Sequence, residues 1–477
     1  MHPTTRRWPA LYVLCLATLM IVLDSSVVAV ALPSIRDSLG FTQAGLSWVI
    51  NAYILTFGGF LLLGGRLGDL FGHRLLFLIG VVLFTIASLA CAVAPTATAL
   101  VVARGVQGIG GAVAEAVALS LIVNLFPEPG ERAKAMGITG FVASGGGAIG
   151  ALLGGVLTGL LNWHWIFLIN LPIGLVVCVL AMKWVPESDA PATRQRLDIG
   201  GAFTVTAALM LAVRAIVGGN DAGWTSVTTL GMLGAALAFA VAFVVIETRV
   251  ASPLVPLGML ARRNLATANI IGILWAASMF AWFFISALYL QLVLGKGPLK
   301  VGIAFLPGNL LMGALSVGVS GRLVTRFGMR KPLIFGLVLA AAGLALFSQI
   351  RANGDVWRDI MPAMLLLGGG AGIAFNPVLL AAMTDASPEE SGLASGIVNT
   401  SFQLGGALGL AILASVASYQ TGVYLADGAS QAEALTAGYR AAFLIGAIFA
   451  VLAAALGLVI REDATTVEER EAMAVHA

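Results

Sequence analysis

Gly65-Arg66-Leu67-Gly68-Asp69-Leu70-Phe71-Gly72-His73-Arg74 returns as Gly321-Arg322-Leu323-Val324-Thr325-Arg326-Phe327-Gly328-Met329-Arg330. Six of the ten positions match: Gly, Arg, Leu, Phe, Gly and Arg. Each copy lies between two long apolar runs, so each reads as a short basic turn between membrane helices. Any such turn favours Gly and Arg, but six matches in one register point to duplication. A turn used twice, half a chain apart, implies a membrane protein of two related halves. Parallel repeats of this kind build one large class of transporters.

Composition agrees. The 477 residues are 59% hydrophobic and 10% charged, whereas a soluble globule carries about 25% charged residues. The chain could not cover its surface in water; it is an all-α polytopic protein whose partner is the lipid bilayer. A net charge of +3 carries no sign of nucleic acid. Cys15, Cys91 and Cys178 all fall in apolar runs and read as buried free thiols, not disulfides or metal ligands. The first apolar run is about 22 residues long, more than a signal-peptide core, and reads as a retained helix after Arg6 and Arg7.

A membrane helix needs about 20 apolar residues. Fourteen segments qualify: 10–32, 45–64, 75–94, 97–124, 134–160, 164–184, 199–217, 226–246, 265–292, 301–320, 332–350, 359–383, 392–417 and 438–460. With the N-terminus cytoplasmic, and with Lys134, Lys183 and Arg440 at span ends counted with the adjoining loops, cytoplasmic segments hold 18 of the 26 lysines and arginines, external segments 6 and helices 2. That is the positive-inside asymmetry, and it puts both termini in the cytoplasm. The second decapeptide follows helix 10 as the first follows helix 2. The Pro127 and Pro388 turns also correspond, as do the small-residue stretches Gly108–Ala112 and Gly368–Gly372. Residues 1–185 are therefore expected to form one six-helix bundle and 261–477 a second. Residues 186–260 hold a polar linker and two inserted helices without repeat partners.

These residues resemble the major facilitator superfamily and, within it, the fourteen-helix drug:proton antiporters. The resemblance runs nearly end to end. Leu23-Asp24-Ser25-Ser26-Val27-Val28-Ala29-Val30-Ala31-Leu32-Pro33 is similar to that family's helix 1 motif, and Trp48-Val49-Ile50-Asn51-Ala52-Tyr53 to its helix 2 opening. Gly65 to Arg74 is similar to the loop signature. Arg104-Gly105-Val106-Gln107-Gly108 resembles the helix 4 motif, Trp163 to Gly174 the start of helix 6, and Ser395-Gly396-Ile397-Val398-Asn399-Thr400 the helix 13 signature. Three positions depart. Ala151 replaces the proline of the helix 5 antiporter motif, Ala116 stands where helix 4 commonly has a proline, and Thr325 replaces the acid of the second decapeptide.

Four charged residues fall inside the expected spans with three or more residues to either end: Asp24, Arg104, Glu115 and Arg214. Ionisable groups in the membrane are costly and mark functional sites by default. At ~1.5 Å per residue, Asp24 and Arg104 lie about 12 and 10 Å below the external ends of their helices. The resemblance implies that both helices line a central cavity. Burial disfavours an ionised carboxylate and a nearby guanidinium favours it, so a small movement could switch such a pair. Asp24 is read as the proton-coupling group with Arg104 tuning it; the alternative is a static ion pair between helices. Glu115 is a second proton site, a contact for a cationic substrate, or an interhelical hydrogen bond. Arg214 reads as snorkelling to the interface.

For Gly65, Asp69, Gly72 and Arg74 the resemblance implies a gating role; topogenic charge is the alternative. Gly150, Gly154 and Gly155 crowd helix 5 and permit close helix approach. Gly105 to Gly111 mimics a phosphate loop but has no preceding strand and no Lys-Ser/Thr ending, so nucleotide binding is set aside. Asn399-Thr400-Ser401 matches a glycosylation sequon inside a helix and is read as meaningless. The substrate pocket is expected from Asn51, Tyr53, Gln107, Trp275, Trp282, Tyr289, Asn309, Asn376, Asn399 and Gln403, since apolar and aromatic walls with few amides suit hydrophobic ligands of varied shape. Packing is the alternative for each.

No paired His or Cys ligand spacing and no protease signature is present, so an enzyme is not expected, and neither is a cofactor beyond the proton gradient. The expectation is a proton-driven exporter of small hydrophobic, cationic drugs or natural products. It works as a monomer in the bacterial cytoplasmic membrane by alternating access. A dedicated exporter of one metabolite, a secondary uptake transporter (given Ala151) and a non-transporting sensor or scaffold are the alternatives.

Overall fold

The computed structural model describes residues 7–42, 45–126, 128–187, 198–250, 253–384 and 391–462, and among them there are helices and no strand. The first half runs through α1 (Arg7–Leu39), α2 (Trp48–Phe71), α3 (His73–Ala92), α4 (Ala97–Leu125), α5 (Pro129–Leu160) and α6 (Trp165–Trp184). Then come α7 (Ile199–Ala222) and α8 (Val227–Arg249). The second half holds α9 (Arg263–Val293), α10 (Pro298–Phe327), α11 (Arg330–Phe347), α12 (Val356–Thr384), α13 (Ser391–Ala426) and α14 (Gln431–Gly457). Thirteen helices among the described residues are long and apolar enough to cross a membrane; α5 contributes the apolar stretch Gly145–Leu160. In hydrocarbon every backbone polar group needs an internal partner, which is why such a chain is helical.

Two compact units divide the chain. The first comprises Met1–Leu254 with Gly295–Ile303, and the second Val255–Leu294 with Ala304–Ala477. α7 and α8 fall in the first unit, where Thr206 of α7 sits so close to Gly59 of α2 that a Cβ there would meet its Oγ1 at 2.0 Å.

The decapeptides prove to be less turn than helix. Gly65–Phe71 forms the last two turns of α2 and Gly321–Phe327 the end of α10. The chain reverses only at Gly72 (φ 93°) and Gly328 (φ 80°), in the positive-φ region that glycine enters without steric cost. Even the hydrogen bond closing each reversal is shared: the Gly72 N–H donates to the Gly68 carbonyl and the Gly328 N–H to the Val324 carbonyl. The repeat persists in packing. Gly110 of α4 lies against Gly80 and Phe84 of α3, and Gly370 of α12 lies against Gly336 and Ala340 of α11. At each contact a Cβ would come within 2.6 Å of backbone, so small residues set the helix spacing.

The halves differ in regularity. Among the described residues, π-helical turns occur only in the second: Tyr289–Val293, Ser316–Ser320 and Val356–Ile360. The one in α10 is patched from α12. Asn376 Nδ2 donates to the Ser316 carbonyl at 2.8 Å, and Ser320 Oγ donates to the Ile373 carbonyl at 2.9 Å. Four residues after Ile373 stands Pro377, which has no N–H to offer that carbonyl. Each helix repairs the other's broken ladder.

Candidate functional site: a buried carboxylate cluster

α1, α3, α4 and α6 bring five polar side chains together inside the first unit. Asp24 (0% exposed) sits mid-way along α1, and Arg104 (1% exposed) lies two turns into α4. Arg104 Nη1 donates to Asp24 Oδ2 at 2.5 Å. The other carboxylate oxygen, Oδ1, accepts from Gln107 Nε2 at 2.7 Å and from Asn170 Nδ2 at 2.8 Å. Ser88 Oγ of α3 in turn accepts from Gln107 Nε2 at 2.8 Å and donates to the Phe84 carbonyl. The carboxylate thus meets three donors, which is what a charge taken out of water requires.

Arg104 is held from every side. Nε donates to the Val49 carbonyl of α2 at 2.9 Å, and Nη1 also donates to Gln107 Oε1 at 2.7 Å. Its guanidinium carbon stands 4.3 Å from the Tyr53 ring centroid and 5.7 Å from that of Phe167, at cation–π range. Residues 104 and 107 share a helix face by their spacing, so one turn of α4 supplies both the cation and the amide.

Gln107 and Tyr53 therefore belong to this cluster. Neighbouring Asn51 is fully buried, and neither atom of its amide has a partner among the described residues. Asn170 and Ser88 escaped sequence reading. Asn170 lay within the quoted start of helix 6, whereas a lone serine in an apolar run carries no signal. Glu115 stands apart from the cluster, half-buried, where Thr18 Oγ1 donates to its Oε2 at 3.0 Å. Arg214 is exposed on α7. A further buried acid was missed because it falls one residue past its expected span: Glu247 of α8 shares the surroundings of Gly201 with Asp198, whose Oδ1 caps α7 by accepting from the Gly201 N–H.

At the first decapeptide, Arg74 Nη1 donates to Glu187 at 2.8 Å and Nη2 to the Met182 carbonyl at the end of α6. Gly65 has only Ala116 Cβ near it, and the Asp69 side chain lies outside the described residues. In α5, a Cβ on Gly150 would strike Ser26, one on Gly154 the Val27 backbone, and one on Gly155 the Pro298 and Leu299 backbone of the same unit.

In the second unit Trp275 contacts Phe375 and Phe402, Trp282 packs on Phe283 and Phe305, and the Tyr289 hydroxyl donates to the Arg351 carbonyl at 2.6 Å. Asn309 is buried, Gln403 half-buried and Asn399 exposed, while the Asn376 amide is committed to α10. No group of three or more His, Cys, Asp or Glu that could hold a metal occurs among the described residues.

Comparison with known proteins agrees with this architecture. The puromycin resistance protein pur8 of Streptomyces alboniger is 37% identical over 451 residues, 94% of this chain and 89% of that protein. The multidrug resistance protein Stp of Mycobacterium tuberculosis is 36% identical over 405 residues, 84% of this chain and 74% of that one. Among solved structures, an auto-inhibited POT family peptide transporter superposes with a TM-score of 0.68 at 17% identity, covering 96% of this chain and 97% of that chain, and so shares its fold. A family model described as Major Facilitator Superfamily matches residues 14–410, and the chain belongs to that family.

Proposed function

We propose that this transporter is a proton-coupled exporter of hydrophobic, cationic drugs or natural products in a bacterial plasma membrane, with both termini cytoplasmic. Asp24 carries the coupling proton. The carrying observation is the buried carboxylate whose three hydrogen-bond partners all donate. A proton arriving on Asp24 creates an O–H that needs an acceptor, and at present none faces it. Either Arg104 withdraws, or an amide turns over. Asn170 is suited to the second course, because its Oδ1 is buried without a partner. Turned by half a revolution, it would accept from the carboxylic acid where it had donated to the carboxylate. Protonation thereby forces a rearrangement across α1, α4 and α6, and that rearrangement biases alternating access.

The test is transport of a cationic dye into or out of proteoliposomes under an imposed proton gradient. Asp24→Asn keeps the shape and loses the titrating group. It should reduce gradient-driven transport to background while the protein still reaches the membrane; unaltered transport would refute the assignment.

A second reading, export of one compound, is favoured by the name of the puromycin resistance relative, just as the multidrug relative favours breadth. A panel of cationic, neutral and anionic substrates separates them.

A further inference from the structure

The second unit carries a pile of four aromatic rings across α9, α12 and α13. Trp275 and Phe402 have centroids 5.6 Å apart at 72°, Trp275 and Phe375 5.9 Å at 64°, Phe375 and Phe402 6.2 Å at 88°, and Phe280 and Phe402 6.0 Å at 60°. These are edge-to-face or tilted contacts, the arrangement that ring quadrupoles favour. Trp275 is 3% exposed and anchors the pile, whereas Phe375 is 48% exposed. Gly406 makes room for the Phe280 ring, since a Cβ there would lie 2.5 Å from it.

An exposed phenyl on a membrane protein invites the answer that it faces lipid. The repeat argues otherwise. Gly80 of α3 packs on Ala114 of α4, and Gly336 of α11 packs on Ala374 of α12 in the same way. In that register the next residues correspond: Glu115 in the first half, Phe375 in the second. Glu115, hydrogen-bonded to Thr18, cannot face acyl chains, because ionisable groups in spans face protein or a water-filled cavity. Phe375 occupies the corresponding face of its own helix.

We propose that Trp275, Phe280, Phe375 and Phe402 form a stacking site for planar aromatic ring systems, with Phe375 as the specificity-determining side chain. The site rests on the reading of the chain as a drug exporter and names the substrate class that this half selects. None of the four side chains is charged, and the neighbouring Asn376 amide is already used on the Ser316 carbonyl. Selection at this site is therefore by ring planarity, with the ring faces favouring cations over anions.

Equilibrium binding to the full chain in lipid nanodiscs tests this, with ethidium as the planar probe and tetrahexylammonium as a ring-free probe of equal charge. Phe375→Leu should weaken ethidium binding roughly three- to tenfold and change tetrahexylammonium binding less than about twofold. Phe375→Trp should restore ethidium binding, and Phe402→Leu, which disturbs the support, should reproduce the selective loss. Equal losses for both probes, or an unchanged affinity for ethidium in both leucine variants, would overturn the proposal. Binding needs no gradient, so loss of proton dependence with ring selectivity intact would refute the coupling assignment and leave this site standing.

Discussion

Asp24 is a carboxylate surrounded by donors, and Asn170 is the partner with an oxygen to spare. Replacing Asn170 by Leu removes a donor to the carboxylate and the proposed acceptor for its acid. The expected outcome is gradient-driven transport slowed about tenfold or more, the loss of one charge-assisted hydrogen bond, with dye–dye exchange at zero gradient retained. Exchange that falls in step with driven transport would show a packing role instead. Much of this site was legible. Asp24 and Arg104 announced themselves as charges in apolar runs, and their matched depth followed from helical rise. Gln107 was legible as polar but not as a ligand of Asp24, because helix rotation is not written in hydropathy. Ser88 was invisible for the same reason: a serine costs little in a span whether or not it is used.

At the scale of elements, the exchange between α10 and α12 makes a sharp prediction. Ser320→Ala strands the Ile373 carbonyl, and an unmade buried hydrogen bond costs about 1–3 kcal/mol. Pro377→Ala supplies the missing N–H. Ser320→Ala should therefore lower thermal stability alone and have little effect in the Pro377→Ala background, giving a coupling of about 1 kcal/mol or more in a double-mutant cycle. Additive effects would contradict the repair. Pro377 was readable from sequence, but its partner was not, since a π turn leaves no compositional trace. Helix ends show the converse. α14 begins at Gln431, seven residues before the expected 438, although the signal was present: Ser430 and Glu433 form a capping box. Hydropathy alone marks where lipid starts, and helices continue beyond it.

For the whole molecule, the duplication read from one decapeptide extends to backbone conformation, at Gly72 and Gly328, and to helix spacing, at Gly110 and Gly370. The unequal placement of charge was legible too, since Asp24, Arg104 and Glu115 all lie in the first half; what sequence could not supply was the register that sets Glu115 against Phe375, because helix packing fixes it. The orientation inferred from lysine and arginine counts can be checked directly. With Cys15, Cys91 and Cys178 replaced by Ala, Asn353→Cys should react with a membrane-impermeant maleimide in intact cells. Glu187→Cys should react only after the membrane is opened. The reverse pattern would invert the topology.

Under the proposed coupling through Asp24, its enclosure also selects between ions as the driver of transport. Sodium in a transporter is held by several oxygens at once, from carboxylates and carbonyls. Around Asp24 the hydrogen-bonding atoms turned toward the carboxylate are nitrogens bearing hydrogen, from Arg104, Gln107 and Asn170. A bare metal cation placed there would meet three like-signed dipoles, whereas a proton asks for a single oxygen. A sodium gradient imposed at constant pH should therefore leave dye transport at background.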